Sequence, residues 1–298
     1  MNYSVFHDII RNVVMYLQEN HLETRDIIIK YIQGDGMMEN LESIISIVDL
    51  RMSYGSKNVL NGINLEIPRG QIIGYIGTNG AGKSTTIKIM LGILEGYTGK
   101  VEILGQDISN GSIEYKKKVG YVPELADIYE NLTAYEYISF LGEIYGLEEK
   151  KLIERAKKLM SLFGMEDVIN SRISSYSKGM KQKLLIICSL IHNPDILFFD
   201  EPLSGLDANS VMVFKEVMRT LAQRGKTIFY SSHIMDVVEK ISDRILLIND
   251  GRVVADGSFE ELNNNQKEGS LEEIFNQITG FNDHAQIAKE FVSLACEV

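Results

Sequence analysis

The chain has 298 residues, 45% of them hydrophobic, with 30 Lys+Arg against 41 Asp+Glu for a formal net charge of -11. This is an ordinary composition for a globular protein of one large domain with appendages, and its acidic balance lacks the basic field that grips phosphate backbones, so nucleic acid is excluded as an expected partner. No stretch approaches the roughly 18 consecutive apolar residues that cross a bilayer, and His7, Asp8 and Arg11 interrupt the region where a signal peptide would be continuous.

In chain order, Val5, Phe6, Ile9, Ile10, Val13, Val14 and Leu17 recur at helical spacing, which predicts an amphipathic helix over residues 4–19 and a shorter one near Arg25–Ile32. Their apolar face is expected to pack on the host domain, with docking to a partner as the competing reading. Gly34, Asp35 and Gly36 break the pattern. Short β-branched runs then alternate with helical stretches, and Ile44–Leu50, Val59–Ile67, Gln71–Ile76, Ile196–Phe199, Thr227–Tyr230 and Ile245–Ile248 read as strands. Such alternation predicts an α/β fold with a mainly parallel central sheet.

Between about Leu125 and Ser175 the strand pattern stops, and Ala134–Tyr145, Leu152–Phe163 and the region after Met165 read as consecutive helices inserted into the α/β core. Beyond Gly257, a polar linker Asn263-Asn264-Asn265-Gln266 leads to a helical tail in which Leu271, Ile274, Phe275 and Ile278 share one face. The two cysteines, Cys188 and Cys296, have no metal-site spacing. Cys188 sits in the apolar run Leu184–Ile191 and reads as a buried, inert thiol in a reducing compartment.

The most informative segment is Gly77-Thr78-Asn79-Gly80-Ala81-Gly82-Lys83-Ser84, followed by Thr85. It matches G-x-x-x-x-G-K-[ST] between a predicted strand ending at Ile76 and a predicted helix through Ile87 and Met90. Glycines let the backbone curl so that its N–H groups face phosphate oxygens, and the helix start adds partial positive charge. Lys83 then neutralises the β- and γ-phosphates and Ser84 offers a hydroxyl to Mg²⁺. A second element is the run Ile196–Phe199 ending in Asp200 and Glu201. A wholly apolar strand is buried on both faces, and carboxylates at its C-terminal end fall where open α/β sheets bind ligands. Period-two alternation sends the two carboxylates to opposite sides, one for the metal and one for the attacking water.

Around these two elements, further motifs appear in an order that resembles the nucleotide-binding subunits of ABC transporters from about Ile44 to Leu262. Tyr54 matches the aromatic that stacks on adenine in that family. Tyr176-Ser177-Lys178-Gly179-Met180 resembles the signature motif L-S-G-G-Q, agreeing at Ser177 and Gly179 and departing at Tyr176, Lys178 and Met180. Ser204-Gly205-Leu206-Asp207 resembles the D-loop, and Ser231-Ser232-His233 resembles the switch segment whose histidine meets the γ-phosphate. Val119-Gly120-Tyr121-Val122-Pro123-Glu124 occupies the Q-loop position with Glu124 in place of glutamine, which keeps an oxygen for a metal but loses the amide donor and adds a charge.

The resemblance implies a P-loop NTPase core with a mixed, mainly parallel sheet, an antiparallel β subdomain and an inserted helical subdomain. It places the ATPase domain at residues 39–265, its helical subdomain at about 125–184, an N-terminal helical extension at 1–38 and a C-terminal helical tail at 266–298. It implies ATP and Mg²⁺ as ligands, with Glu201, His233 and Lys83 catalytic. Tyr54, Gly77, Asn79, Gly80, Gly82, Lys83, Ser84, Thr85, Ser177, Gly179 and Asp207 would bind nucleotide, and Ser84, Asp200 and Glu124 the metal. It also implies a head-to-tail pair of ATPase subunits, expected to be a homodimer, and a transmembrane permease on a separate chain that holds the assembly at the cytoplasmic face of the membrane. The signature, Glu124 and the tail Ser270–Gly280 look most like bacterial drug, peptide or polysaccharide exporters. Two other readings stay open at this point: a soluble ABC ATPase of translation or DNA maintenance, and a regulatory ATPase that transports nothing.

Overall fold

Strand Ile196–Asp200 has all five residues buried, and its side chains alternate between two cores. Leu197 and Phe199 join one cluster with helical residues such as Leu184 and Phe214, whereas Ile196 and Phe198 join another with Ile45, Leu65 and Ile87. The same alternation runs through Ile72 and Ile76 against Ile73 and Tyr75, and through Ile228 and Tyr230 against Phe229. A sheet apolar on both faces must be covered on both, which is the layering of an α/β core.

The computed structural model describes residues 43–264, 269–280 and 284–296. The two helices expected before Gly34, the extension assigned to 1–38, and Asn265 and Gln266 of the linker lie outside the described residues. The described elements are β1 Ser43–Tyr54, β2 Lys57–Pro68, β3 Ile72–Gly77, α1 Lys83–Met90, β4 Thr98–Ile103, β5 Gln106–Asp107, β6 Val119–Val122, α2 Ala134–Ile144, α3 Glu149–Leu162 and α4 Lys178–Leu190. There follow β7 Ile196–Asp200, α5 Ala208–Gln223, β8 Thr227–Ser231, α6 Met235–Ile241, β9 Arg244–Asn249, β10 Arg252–Gly257, α7 Phe259–Asn264, α8 Leu271–Thr279 and α9 His284–Cys296.

The strands form two sheets: a four-stranded sheet in the order β2-β1-β4-β5, antiparallel throughout, and a six-stranded sheet in the order β10-β9-β3-β8-β7-β6. In the larger sheet only β10 runs antiparallel. This is the P-loop NTPase architecture expected from the sequence, with the smaller sheet and α1 covering one face and the helices the other. Parallel pairing brings the C-terminal ends of β3, β6, β7 and β8 to one edge, and the loops that leave them carry the chemistry.

All six strands expected from the sequence are present, and four more accompany them. The additional ones are weakly patterned for a physical reason. β10 has no buried residue, β4 buries only Val101 and Ile103, β5 has two residues and β6 four. A correction is needed after Met165, where a helix was expected. Instead, 3-10 turns at Glu166–Val168 and Ile173–Ser175 flank a bridge between Arg172 and Thr133, and regular helix resumes only at Lys178. Backbone hydrogen bonds from Ile173 to Leu132 (2.9 Å) and Ser174 to Glu130 (2.9 Å) take the place of an intrahelical ladder. In the tail, Ser270 and Glu273 form a capping box and α8 buries Leu271 and Ile274.

The antiparallel sheet contains a bulge where β1 meets β4, with Asp49 at φ 47°. Gly99, at φ +96°, lies under that bulge, and a Cβ there would stand 2.3 Å from the Asp49 carbonyl oxygen and 2.6 Å from that of Val48. Both neighbours are backbone and cannot rotate away. Gly99→Ala is therefore expected to destabilise the fold by about 2–4 kcal/mol, read as a lowered denaturant midpoint; an unchanged midpoint would show that the bulge is soft.

Candidate active site

Gly82, at φ 109°, turns the chain from the loop after β3 into α1 as its N-cap, a conformation that L side chains rarely adopt. The loop so formed opens onto a cleft of about 790 Å³. Among the residues assigned from sequence, Tyr54, Asn79, Gly80, Gly82, Lys83, Ser84, Thr85, Glu124, Asp200, Glu201 and His233 line it. Gly77 sits at the end of β3 beneath the loop. Lys57, Val59 and Ser231 also line the cleft and were not assigned. Lys57 and Val59 enter because the β1–β2 hairpin pairs Tyr54 with Lys57 across a two-residue turn, a register legible only once the strands are joined.

Inside the cleft, Lys83 Nζ donates to the carbonyls of Gly77 (2.7 Å) and Thr78 (3.2 Å). Ser84 Oγ donates to Asp200 Oδ2 at 3.2 Å, because the alternation in β7 turns Asp200 to the same face as Ile196 and Phe198, where α1 packs. Burial lowers the pKa of Lys83, and the carboxylates of Glu201, Asp200 and Glu124 work against that. For Asp200, burial pushes the carboxyl upward, the Ser231 and Ser84 hydroxyls oppose it, and the charges of Glu124 and Glu201 add to the rise.

Glu201 follows β7 with φ 49°, a left-handed conformation that costs a non-glycine residue about 1–3 kcal/mol and persists only where its surroundings over-determine it. They do so here. Its N–H donates to the Ser231 carbonyl (2.9 Å), Oε1 accepts from the His233 N–H (2.8 Å), and Oε2 accepts from Ser232 Oγ (3.2 Å). His233 Nδ1 stands 2.8 Å from the same Oε1, with the imidazole side chain 80% exposed and the carboxylate side chain only 15%. A partly exposed carboxylate held beside an exposed imidazole at a cleft edge can take a proton from water.

Three assigned residues stand apart from this lining. Ser177 is the N-cap of α4, its oxygen accepting from the Met180 N–H at 3.2 Å, and Gly179 lies in the first turn. Asp207 is the N-cap of α5, accepting from the N–H (2.9 Å) and Oγ (2.6 Å) of Ser210 and from Lys183 Nζ (3.0 Å). The Ser210 bonds, with Lys183 beside them, hold its carboxyl well below the usual range. Cys188 is buried in the core, and that burial pushes its thiol far above the ordinary range, as expected of an inert cysteine.

The cleft suits a triphosphate carried with a divalent cation. Backbone amides and Lys83 supply positive charge, while Ser84 and Asp200 converge as hard oxygen donors of the kind Mg²⁺ accepts. Among the described residues, no group of three His, Cys, Asp or Glu side chains could hold a metal by itself. Mg²⁺ commonly uses one or two protein oxygens and completes its shell with water and phosphate, so this sparse donor set fits it.

Comparison with known proteins points the same way. A sequence model of the ABC transporter family matches residues 60–204. The chain is 36% identical over 214 residues to the ABC transporter ATP-binding protein NatA of Bacillus subtilis, covering 72% of this chain and 87% of that protein. It is 33% identical over 223 residues to the bacitracin transport ATP-binding protein BcrA of Bacillus licheniformis, covering 74% and 72% of the two chains. A solved structure described as an ATP-binding subunit of an ABC transporter superposes with a TM-score of 0.75 at 33% identity, covering 80% of this chain and all of the other.

Proposed function

The chain belongs to the family of ABC transporter ATP-binding proteins, and from that premise we propose that it is the ATP-hydrolysing motor of an exporter, working as one of two like subunits on a separate transmembrane permease. The observation that carries this reading is the single cleft joining Lys83 and Ser84 of the P-loop to Asp200, Glu201 and His233 at the neighbouring strand ends. The relative named for bacitracin transport supports a transporter of such compounds, and export is the direction we propose.

In this reading Tyr54, exposed at the cleft mouth, stacks on adenine. The backbone of Gly77 through Gly82 wraps the phosphates, with Asn79, Gly80 and Thr85 in the wall, and Lys83 leaves its two carbonyls to pair with them. A magnesium ion held by Ser84 and Asp200, with Glu124 as a further oxygen, would neutralise charge on the β- and γ-phosphates. Glu201 accepts the proton of the water that attacks the γ-phosphorus, and His233 fixes that carboxylate and meets the γ-phosphate. The products are ADP and phosphate.

Ser177 and Gly179 do not line their own chain's cleft, yet they present a hydroxyl and backbone amides at a helix start. They fit the role of capping the nucleotide held by a second copy, with Asp207 and its loop at the seam. Two copies closing on ATP draw their helical segments together and turn the permease, and the complex sits at the cytoplasmic face of the membrane through that permease.

Titration calorimetry of the purified chain with Mg-ATP tests the premise, and micromolar affinity is expected; no heat of binding at millimolar nucleotide would remove it. Affinity capture from detergent-solubilised membranes tests the partner. A multi-span protein should co-purify in stoichiometric amount, and recovery of ribosomes or DNA instead would favour the soluble reading.

A further inference from the structure

The first turn of α4 has no acidic residue and carries Lys178, Lys181 and, one turn on, Lys183. Cations at the positive end of a helix dipole are unfavourable unless something compensates them. Lys181 has Glu130. Lys178 and Lys183 instead reach the loop that follows β7: Lys178 Nζ donates to Ser204 Oγ at 2.7 Å, and Lys183 Nζ meets Asp207 Oδ2 at 3.0 Å with its side chain only 14% exposed.

Two uncharged contacts reinforce this pair. Gln182, 1% exposed, donates from Nε2 to the Pro202 carbonyl at 3.1 Å. Gly179 lies so close to the loop that a Cβ there would come within 2.5 Å of the Gly205 carbonyl oxygen. Three positions on one face of the helix thus bond the loop 202–207 at its beginning, middle and end, and Gly179 on the same face lets it approach. That loop begins one residue after Glu201, whose left-handed backbone needs restraint on both sides. On the strand side the restraint is the Ser231 carbonyl and the His233 N–H.

We infer that Lys178 and Lys183 form a clamp that fixes the loop after Glu201 to the start of α4 in the same chain, so that the pose of Glu201 depends on where α4 sits. The inference deepens the proposed function and rests on it, since it assigns the two lysines as positioning residues for the base. Neither touches the cleft of its own chain. The lysine at 178 is also one of the points at which the signature departs from L-S-G-G-Q, so the clamp gives that departure a role.

The test uses the full chain with ATP turnover, nucleotide affinity and amide exchange as separate readouts. The Lys178→Met/Lys183→Met protein should lose about tenfold in kcat while KM for ATP and Tm stay near the parent values. Amides of 203–207 should exchange at least several-fold faster in it. Lys183→Arg, which keeps the ion pair, should recover most of the kcat lost in Lys183→Met. A double variant with kcat within twofold of the parent, or with unchanged exchange in 203–207, would overturn the clamp while leaving the ATPase reading intact. Should the double variant not fold, the Lys178→Met and Ser204→Ala single variants carry the exchange measurement. Unchanged exchange in both would likewise overturn it. Loss of Mg-ATP binding by the parent chain is a different outcome, striking the ATPase reading itself.

Discussion

Replacing Glu201 with glutamine should reduce ATP turnover by on the order of 10²–10⁴-fold while leaving Mg-ATP affinity within a few-fold of the parent. The substitution is nearly isosteric. The glutamine carbonyl oxygen can still accept from the His233 N–H and the backbone N–H still donates to the Ser231 carbonyl, so the strained backbone at φ 49° keeps both anchors. What it loses is the ability to take a proton. The carboxylate side chain is 15% exposed and is held by His233 and Ser232, which leaves a lone pair for water; that arrangement orients a base and contributes little to holding nucleotide. Binding and turnover should therefore separate cleanly. Rapid-quench measurement of a single turnover, beside equilibrium binding, reads the two effects independently. Single-turnover hydrolysis within threefold of the parent would take Glu201 out of the proton-transfer role.

The lining of the cleft was legible in the sequence because its parts are local. Gly77 to Thr85 spell out a strand, a loop and a helix start, and Ile196 to Glu201 spell out a doubly buried strand with two carboxylates at its end. Each segment needs only its own neighbours to be recognised, and parallel pairing of β3, β7 and β8 brings them together without further instruction. What the sequence could not give was supplied by register and by tertiary override. Lys57 and Val59 line the cleft through a hairpin pairing. β10 is an edge strand with no buried residue and β4 buries only two, so no hydrophobic period announces them. The turns after Met165 replaced a helix because the segment bonds back to residues 130–133, more than thirty positions earlier. Likewise, the pairing of Lys183 with Asp207 spans 24 positions and has no one-dimensional signature.

Replacing Lys83 with alanine should weaken Mg-ATP binding by about 2–4 kcal/mol, roughly 30- to 1,000-fold, with little change in Tm. The asymmetry follows from what the ammonium does in each state. Without nucleotide, its partners among the described residues are the Gly77 and Thr78 carbonyls, which water can reach once the side chain is gone because the residue is incompletely buried. In the proposed complex it would be the cation inside the loop, and its removal would leave the triphosphate facing the carboxylates of Glu124, Asp200 and Glu201, with Lys57 the other lysine of the lining. The charge on Lys83 predicts a dependence on the metal: the variant should lose proportionally more affinity for metal-free ATP, whose larger negative charge the ammonium attracts most, than for Mg-ATP. Calorimetry with and without magnesium separates these effects. Equal losses for the two nucleotide forms would mean that Lys83 does not act through its charge on the phosphates, and unchanged affinity for both would mean that the loop around Lys83 is not where the triphosphate lies.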